Sequence, residues 1–265
     1  MNVKFVIRGL LLALPVAILI TGIWIFLHTP WAWPPAPTPP PPTILAPRGE
    51  MPAGPVGLQE WAQYRGKTYL LAGSGFLFRL AGGPIVGATT AHSVTLGDPD
   101  HPLERIALGV AGSGQFAGEF DTLRGQPGRR LTSDNLAIDY LLLHVDQPIE
   151  PGLVLAPDPR GAPQPGERVS LYSGLGDGQG GRRVLAGTVQ SVDERSAWVL
   201  MDGSFNPGLM SGSPFVSQHT GQVVGMVVAG SPRRNRVLIG MHPIGSLVRL
   251  AESATGFPKI VELGP

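Results

Sequence analysis

Cysteine is absent from the 265 residues. That excludes a disulfide framework, a thiolate metal site and a cysteine nucleophile. Charge is scarce as well. Only 15% of residues are charged and the net charge is +1, so no basic excess exists to set against nucleic-acid phosphates, and no nucleic-acid partner is expected. No spacing of histidines and carboxylates fits a metal site, and no cofactor is expected. No repeat of fixed period is present. Glycine and proline are plentiful instead, at 37 and 28 residues, a turn-rich composition that points to an all-β chain with many loops. The apolar share of 43% is ample for one large domain or two small ones.

The one long apolar run is "LLLALPVAILITGIWIFL", residues 10–27. As a helix it approaches the thickness of a bilayer core, about 30 Å. Pro15 lies inside it, which membrane helices tolerate. Lys4 and Arg8 precede the run, and the next charged residue is Arg48. That asymmetry puts residues 1–8 in the cytoplasm and the rest outside, in the periplasm or at the cell surface. Trp24, Trp31 and Trp33 suit the outer interface. A cleaved signal peptide is the competing reading, but the run is long for one and no A-x-A-like site follows. Residues 9–28 are therefore read as a single transmembrane signal anchor. Residues 29–55 contain "WPPAPTPPPPTILAP" and read as an extended proline-rich linker.

From residue 56 to 265, short β-type runs recur between Gly, Pro, Asp and Ser clusters, among them "KTYLLAGSGFLFRL", "DYLLLHV", "RRVLAGTVQSV" and "VVGMVVAG". Such a series indicates a sandwich or a pair of barrels. Only "PIGSLVRLAES" reads as a helix, with Leu247, Leu250 and Ala251 on its apolar stripe. "GLGDGQGG", 174–181, contains a G-x-G-x-x-G pattern, but a strand pattern follows it. A dinucleotide site needs a helix there, so a hairpin loop is expected.

Hydrolysis by a serine nucleophile needs a base, a carboxylate to orient it, and backbone donors for the oxyanion. Among the six histidines, His92 follows a strand in "TTAHSV". Asp139 opens the apolar strand "DYLLLHV", whereas its competitor Asp134 lies in a polar loop. Ser211 stands in "GLMSGSPFV" between small neighbours that let a substrate backbone approach. Each segment alone is as well explained by a structural histidine, a turn cap or a Gly/Ser/Pro turn.

Together, in the order His, Asp, Ser, the three resemble the trypsin/chymotrypsin-like serine peptidases. "TTAHS", "DYLLLHVDQPI" and "SGSPFV" are similar to that family's three catalytic segments. "GSGFLF" resembles the strand before the histidine, "VVGMVVAG" the strand lining the substrate site, and "GMHPIGSLVRL" the closing strand and C-terminal helix. Cysteine-free bacterial Deg/HtrA-like protease domains are closest in character, and no room remains for a PDZ domain after the helix. The resemblance implies two six-stranded antiparallel β-barrels with a C-terminal helix, here preceded by one transmembrane helix. It implies a serine endopeptidase acting on protein or peptide, with Ser211 as nucleophile, His92 as base and Asp139 orienting it. Val228, Ala229 and Gly230 would line the substrate strand, and the absence of an acidic residue in 203–210 favours an apolar P1 side chain. The family usually has glycine two residues before the serine, where Leu209 stands here. Either the loop carries an extra residue, or the backbone amides of Leu209 and Ser211 form the oxyanion hole. Met210 replaces the aspartate with which trypsin-type zymogens pair a new N-terminus, so no activation of that kind is expected. The alternative function is an inactive domain that binds peptides or a partner through the same cleft.

Overall fold

The computed structural model of the protein describes residues 38–131, 135–176, 183–233 and 235–263. The expected cytoplasmic segment 1–8, the anchor 9–28 and the first part of the linker lie outside these residues, as does Asp134. No helix among the described residues is long and apolar enough to cross a membrane.

Among the described residues, thirteen strands form two β-structures. The first contains β1 (Leu58–Tyr64), β2 (Leu70–Arg79), β3 (Ile85–Thr89), β4 (Leu103–Gly109), β5 (Phe116–Phe120), β6 (Leu141–His144) and the short β7 (Val154–Leu155). Their order is β5-β4-β1-β2-β3-β6, and β7 pairs parallel with β2. The second contains β8 (Arg168–Ser173), β9 (Arg183–Val192), β10 (Ala197–Met201), β11 (Pro214–Ser217), β12 (Val223–Arg233) and β13 (Arg236–Pro243). These close into an antiparallel barrel. The helix α1 (Ile244–Glu252) follows and buries Ile244, Leu247 and Ala251.

The expectation of two closed six-stranded barrels holds for the second and needs correction for the first, an open seven-stranded sheet. The reason lies in residues 121–125, which pass the edge of β6 without forming a full ladder. Their polar groups alternate between two neighbours. His144 N–H donates to Thr122 and Arg124 N–H to Leu142, while Leu123 N–H donates to Pro258 and Gly125 N–H to Gly256. The segment is thus shared between β6 and the C-terminal tail.

The apolar strands divide their faces between three cores. Leu77, Leu141 and Leu143 point into the first sheet with Leu58, Ile106 and Leu108. Val169, Val199, Phe215 and Ile239 fill the second barrel. The residues between these, Phe76, Phe78, Leu142 and Val216, meet Val223, Met226 and α1 in a third core. Strands such as "GFLF" and "LLLH" bury both faces, so they read as continuous apolar runs rather than alternating ones.

β8 and β9 pair antiparallel with Ser173 opposite Arg183. The connection holding the G-x-G-x-x-G pattern is therefore a hairpin, and residues 177–182 of it lie outside the described residues.

Residues 39–55, part of the expected linker, do not stand apart. Pro39 onward belongs to the same compact unit as the strands. Gly49 N–H donates to His219 O at 2.9 Å, the His219 ring bonds Ala46 O at 2.7 Å, and Tyr172 OH donates to Pro52 O at 3.1 Å. Proline has no amide hydrogen to give to a ladder, so this strap is held at scattered points rather than as a strand.

Candidate active site

β3 ends at Thr89 and the chain turns through a short 3-10 element, Ala91–Ser93, that carries His92. A second 3-10 turn, Leu136–Ile138, ends on Asp139 just before β6. β3 and β6 are paired neighbours, which brings the imidazole and the carboxylate together. Ser211 comes from the other barrel, in the turn before β11.

Nδ1 of His92 lies 2.8 Å from Oδ2 of Asp139, and Nε2 lies 2.9 Å from Oγ of Ser211. The Asp139 side chain is fully buried and that of His92 is 32% exposed. Asp139 also accepts from the backbone amides of His92 (3.1 Å, at Oδ1) and Leu131 (2.9 Å, at Oδ2). Burial pushes its pKa up, but the bonds from His92 and Leu131 outweigh it and hold the group below its ordinary value. An ionised carboxylate only accepts hydrogen bonds, so Nδ1 must carry the proton and Nε2 faces the serine hydroxyl as an acceptor.

The loop before Ser211 has an unusual backbone. Leu209 is the single non-glycine residue with positive φ among the described residues, at 61°. The left-handed region costs a side-chain-bearing residue about 1–2 kcal/mol. It is Leu209, two residues before the serine, that takes this conformation. Among the described residues, the amides of Leu209 and Ser211 donate to no protein acceptor. Those of Met210, Gly212 and Ser213 do, to Pro207, Val227 and Met210. Met210 is buried in the second core. Ser213 accepts the Val227 amide while Val227 accepts that of Gly212. The middle of β12 is thereby fixed beside the turn that carries Ser211, with Val228, Ala229 and Gly230 directly after. Ala229 resumes pairing with β13 past an irregularity at Val228.

Three buried polar residues around this site are absent from the expected set. Glu60 on β1 is fully buried, faces the same way as Leu58 and Ala62, and its carboxyl oxygens have no hydrogen-bond partner among the described residues. Burial pushes its pKa up to about 8, against a smaller opposite influence of Ser93 and Thr89. Those two hydroxyls give their protons to Thr90 O and Ser74 O. His242 on β13 is buried edge-on to Tyr140, and desolvation lowers its pKa to about 3 although Asp139 pulls the other way. It is therefore neutral, and His92 is left as the imidazole that Asp139 serves. Ser74 on β2 bonds both carbonyls flanking Met210, as described below. The signal for Glu60 was available in "LQEWAQY", where an acid falls in phase with apolar inward positions.

A family model described as a trypsin-like peptidase domain matches residues 73–226. Among solved structures, kallikrein-related peptidase 10 in complex with Zn2+ is similar with a TM-score of 0.51 and 17% identity, over 77% of this chain and 96% of its own. A thermostable serine protease, AL20, from an extremophilic microorganism gives 0.51 and 12%, over 76% and 97%. At such identities the likeness concerns the fold. No curated protein matches the chain. The matched segment holds all three of His92, Asp139 and Ser211 and spans more than half of the sequence: the chain belongs to the trypsin-like peptidase domain family.

Proposed function

We propose that the protein is a membrane-anchored, extracytoplasmic serine endopeptidase that works through Ser211, His92 and Asp139. The observation that carries this reading is the unbroken hydrogen-bonded series from the buried Asp139 carboxylate to the Ser211 hydroxyl. His92 Nε2 takes the hydroxyl proton as Oγ attacks the scissile carbonyl. The carbonyl oxygen gains the charge and is received by the unengaged amides of Leu209 and Ser211. His92 then gives its proton to the leaving amine, and water hydrolyses the acyl-enzyme by the same steps. Asp139 keeps its negative charge throughout and stabilises the transient imidazolium. Residues 9–28 would anchor the chain, with 1–8 in the cytoplasm and the peptidase outside.

The test is labelling by a fluorophosphonate. The wild-type chain is expected to be modified, and Ser211→Ala is not. Absence of labelling together with absence of casein hydrolysis would instead favour a domain that only binds peptides, the reading that Leu209 in place of glycine supports.

The P1 side chain should be small and apolar. A β-carbon on Gly230 would come within 2.8 Å of Pro207 Cβ, so Pro207 lies close against the strand expected to line the substrate site. In a fluorogenic peptide series, alanine or valine at P1 is expected to exceed phenylalanine, lysine and arginine in kcat/KM by about 10-fold or more. Preference for a basic P1 would refute this.

A further inference from the structure

Ser74 sits in β2 of the first sheet, across from the barrel that carries Ser211, and is fully buried. All three of its polar groups are engaged across or beside the cleft. Its amide donates to Ser211 O at 2.9 Å, its hydroxyl donates to Leu209 O at 2.9 Å, and its carbonyl accepts from Thr89 Oγ1 at 2.8 Å. The fit on the loop side is close. A β-carbon on Gly212 would lie 1.7 Å from Ser74 O, and one on Gly174 would lie 2.7 Å from Ser74 Oγ. Two glycines are therefore required for Ser74 to reach the loop, and its hydroxyl has little room to turn elsewhere.

The carbonyl that this hydroxyl grips belongs to the one non-glycine residue held at positive φ among the described residues. A leucine left to itself returns to φ below zero, because its β-carbon clashes in the left-handed region. That rotation would re-aim both its carbonyl and its amide. The hydroxyl of Ser74 opposes it from a strand that cannot follow.

We propose that Ser74 is a positioning residue that holds Leu209 in the left-handed conformation, so that the Leu209 amide stays aimed at the reacting carbonyl oxygen. This rests on the reading of Ser211 as nucleophile. Where a glycine would adopt the conformation freely, this chain uses a leucine and a clamp. Ser74 does not touch substrate; it acts through Leu209.

The experiment is a double-mutant cycle in the full chain. Ser74→Ala keeps the backbone bond to Ser211 and removes only the hydroxyl. It is expected to lower kcat by about 10- to 100-fold, below the loss for deleting a whole oxyanion donor, with KM changed less than about 2-fold. In a Leu209→Gly background the same change should cost no more than about 3-fold, because glycine needs no clamp. Equal losses in the two backgrounds would overturn the proposal. A second readout does not depend on catalysis. Amide hydrogen exchange at Met210, Gly212 and Ser213 should quicken about 10-fold or more in Ser74→Ala, and unchanged exchange would also overturn it. If the wild type neither cleaves nor labels, the assignment of Ser211 fails by itself, and the exchange measurement still decides whether Ser74 holds the loop.

Discussion

Asp139→Asn will lower kcat by about 10⁴-fold near neutral pH. Both Asp139 oxygens are taken by N–H donors: Oδ1 by the His92 amide, and Oδ2 by the Leu131 amide and Nδ1 of His92. An asparagine must turn its NH2 towards one side. Towards the His92 amide, two donors face each other in a fully buried site. Towards Oδ2, the NH2 opposes Leu131 and forces Nδ1 to become the acceptor. The imidazole proton then moves to Nε2, where it faces the Ser211 hydroxyl, and no base remains. Steady-state hydrolysis of a peptide substrate measures the loss directly. A parallel fall in the rate of fluorophosphonate labelling is expected, since the same base activates Ser211. A loss under about 10-fold would remove Asp139 from its assigned role.

Glu60→Gln will raise stability above pH 7 and flatten its dependence on pH. Burial holds the pKa of Glu60 at about 8 in the folded chain, against an ordinary value of 4.5. Below 4.5 the carboxyl is protonated in both states and nothing is lost. Between 4.5 and about 8 the unfolded chain releases this proton and the folded chain keeps it, so folding weakens by about 1.4 kcal/mol per pH unit. Above about 8 the folded chain ionises too, and a charge without donors sits beside Ser93 and Thr89. Glutamine has the same shape and no charge. Its NH2 can donate to these two hydroxyls, whose protons are already committed. Thermal melting of the full chain from pH 5 to 9 is the measurement. The wild type should lose several degrees relative to Glu60→Gln by pH 8, and parallel curves would refute the assignment. Asp139 and Asp158 do not confuse the result. Their pKa values lie below the ordinary 3.8, so their contribution is present above 3.8 and is lost only as pH falls through the lower folded values.

His92, Asp139 and Ser211, which the fold brings within hydrogen-bond reach, stand out in the sequence because each sits at the end of an element with a strong pattern: a strand, a run of leucines, a Gly/Ser/Pro turn. The second barrel was legible for the same reason. What the sequence hid depends on residues far apart. Whether Leu209 accepts positive φ is decided by Ser74, 135 positions away, and nothing in "GLMSG" announces that partner. The open edge of the first sheet arises because residues 121–125 are shared with the tail. The docking of the strap is invisible in the sequence because a proline-rich composition reads as a spacer whether or not a surface receives it. Glu60 lay in plain sight as an acid on an inward phase, but only burial distinguishes it from a residue at a sheet end.

The strap and the tail also constrain how the molecule comes to exist. Residues 46–52 grip the second barrel, while 256–260 complete the edge of the first. Each half is thus finished by a piece of chain from the far end of the sequence. As synthesis proceeds, the first sheet waits with its edge uncovered until residue 260 has emerged. Pairings of such long separation are slow to form, and an uncovered edge can recruit another chain. Ser211 meets His92 only after both halves have docked, so a growing chain does not bring the two together until the second barrel has formed.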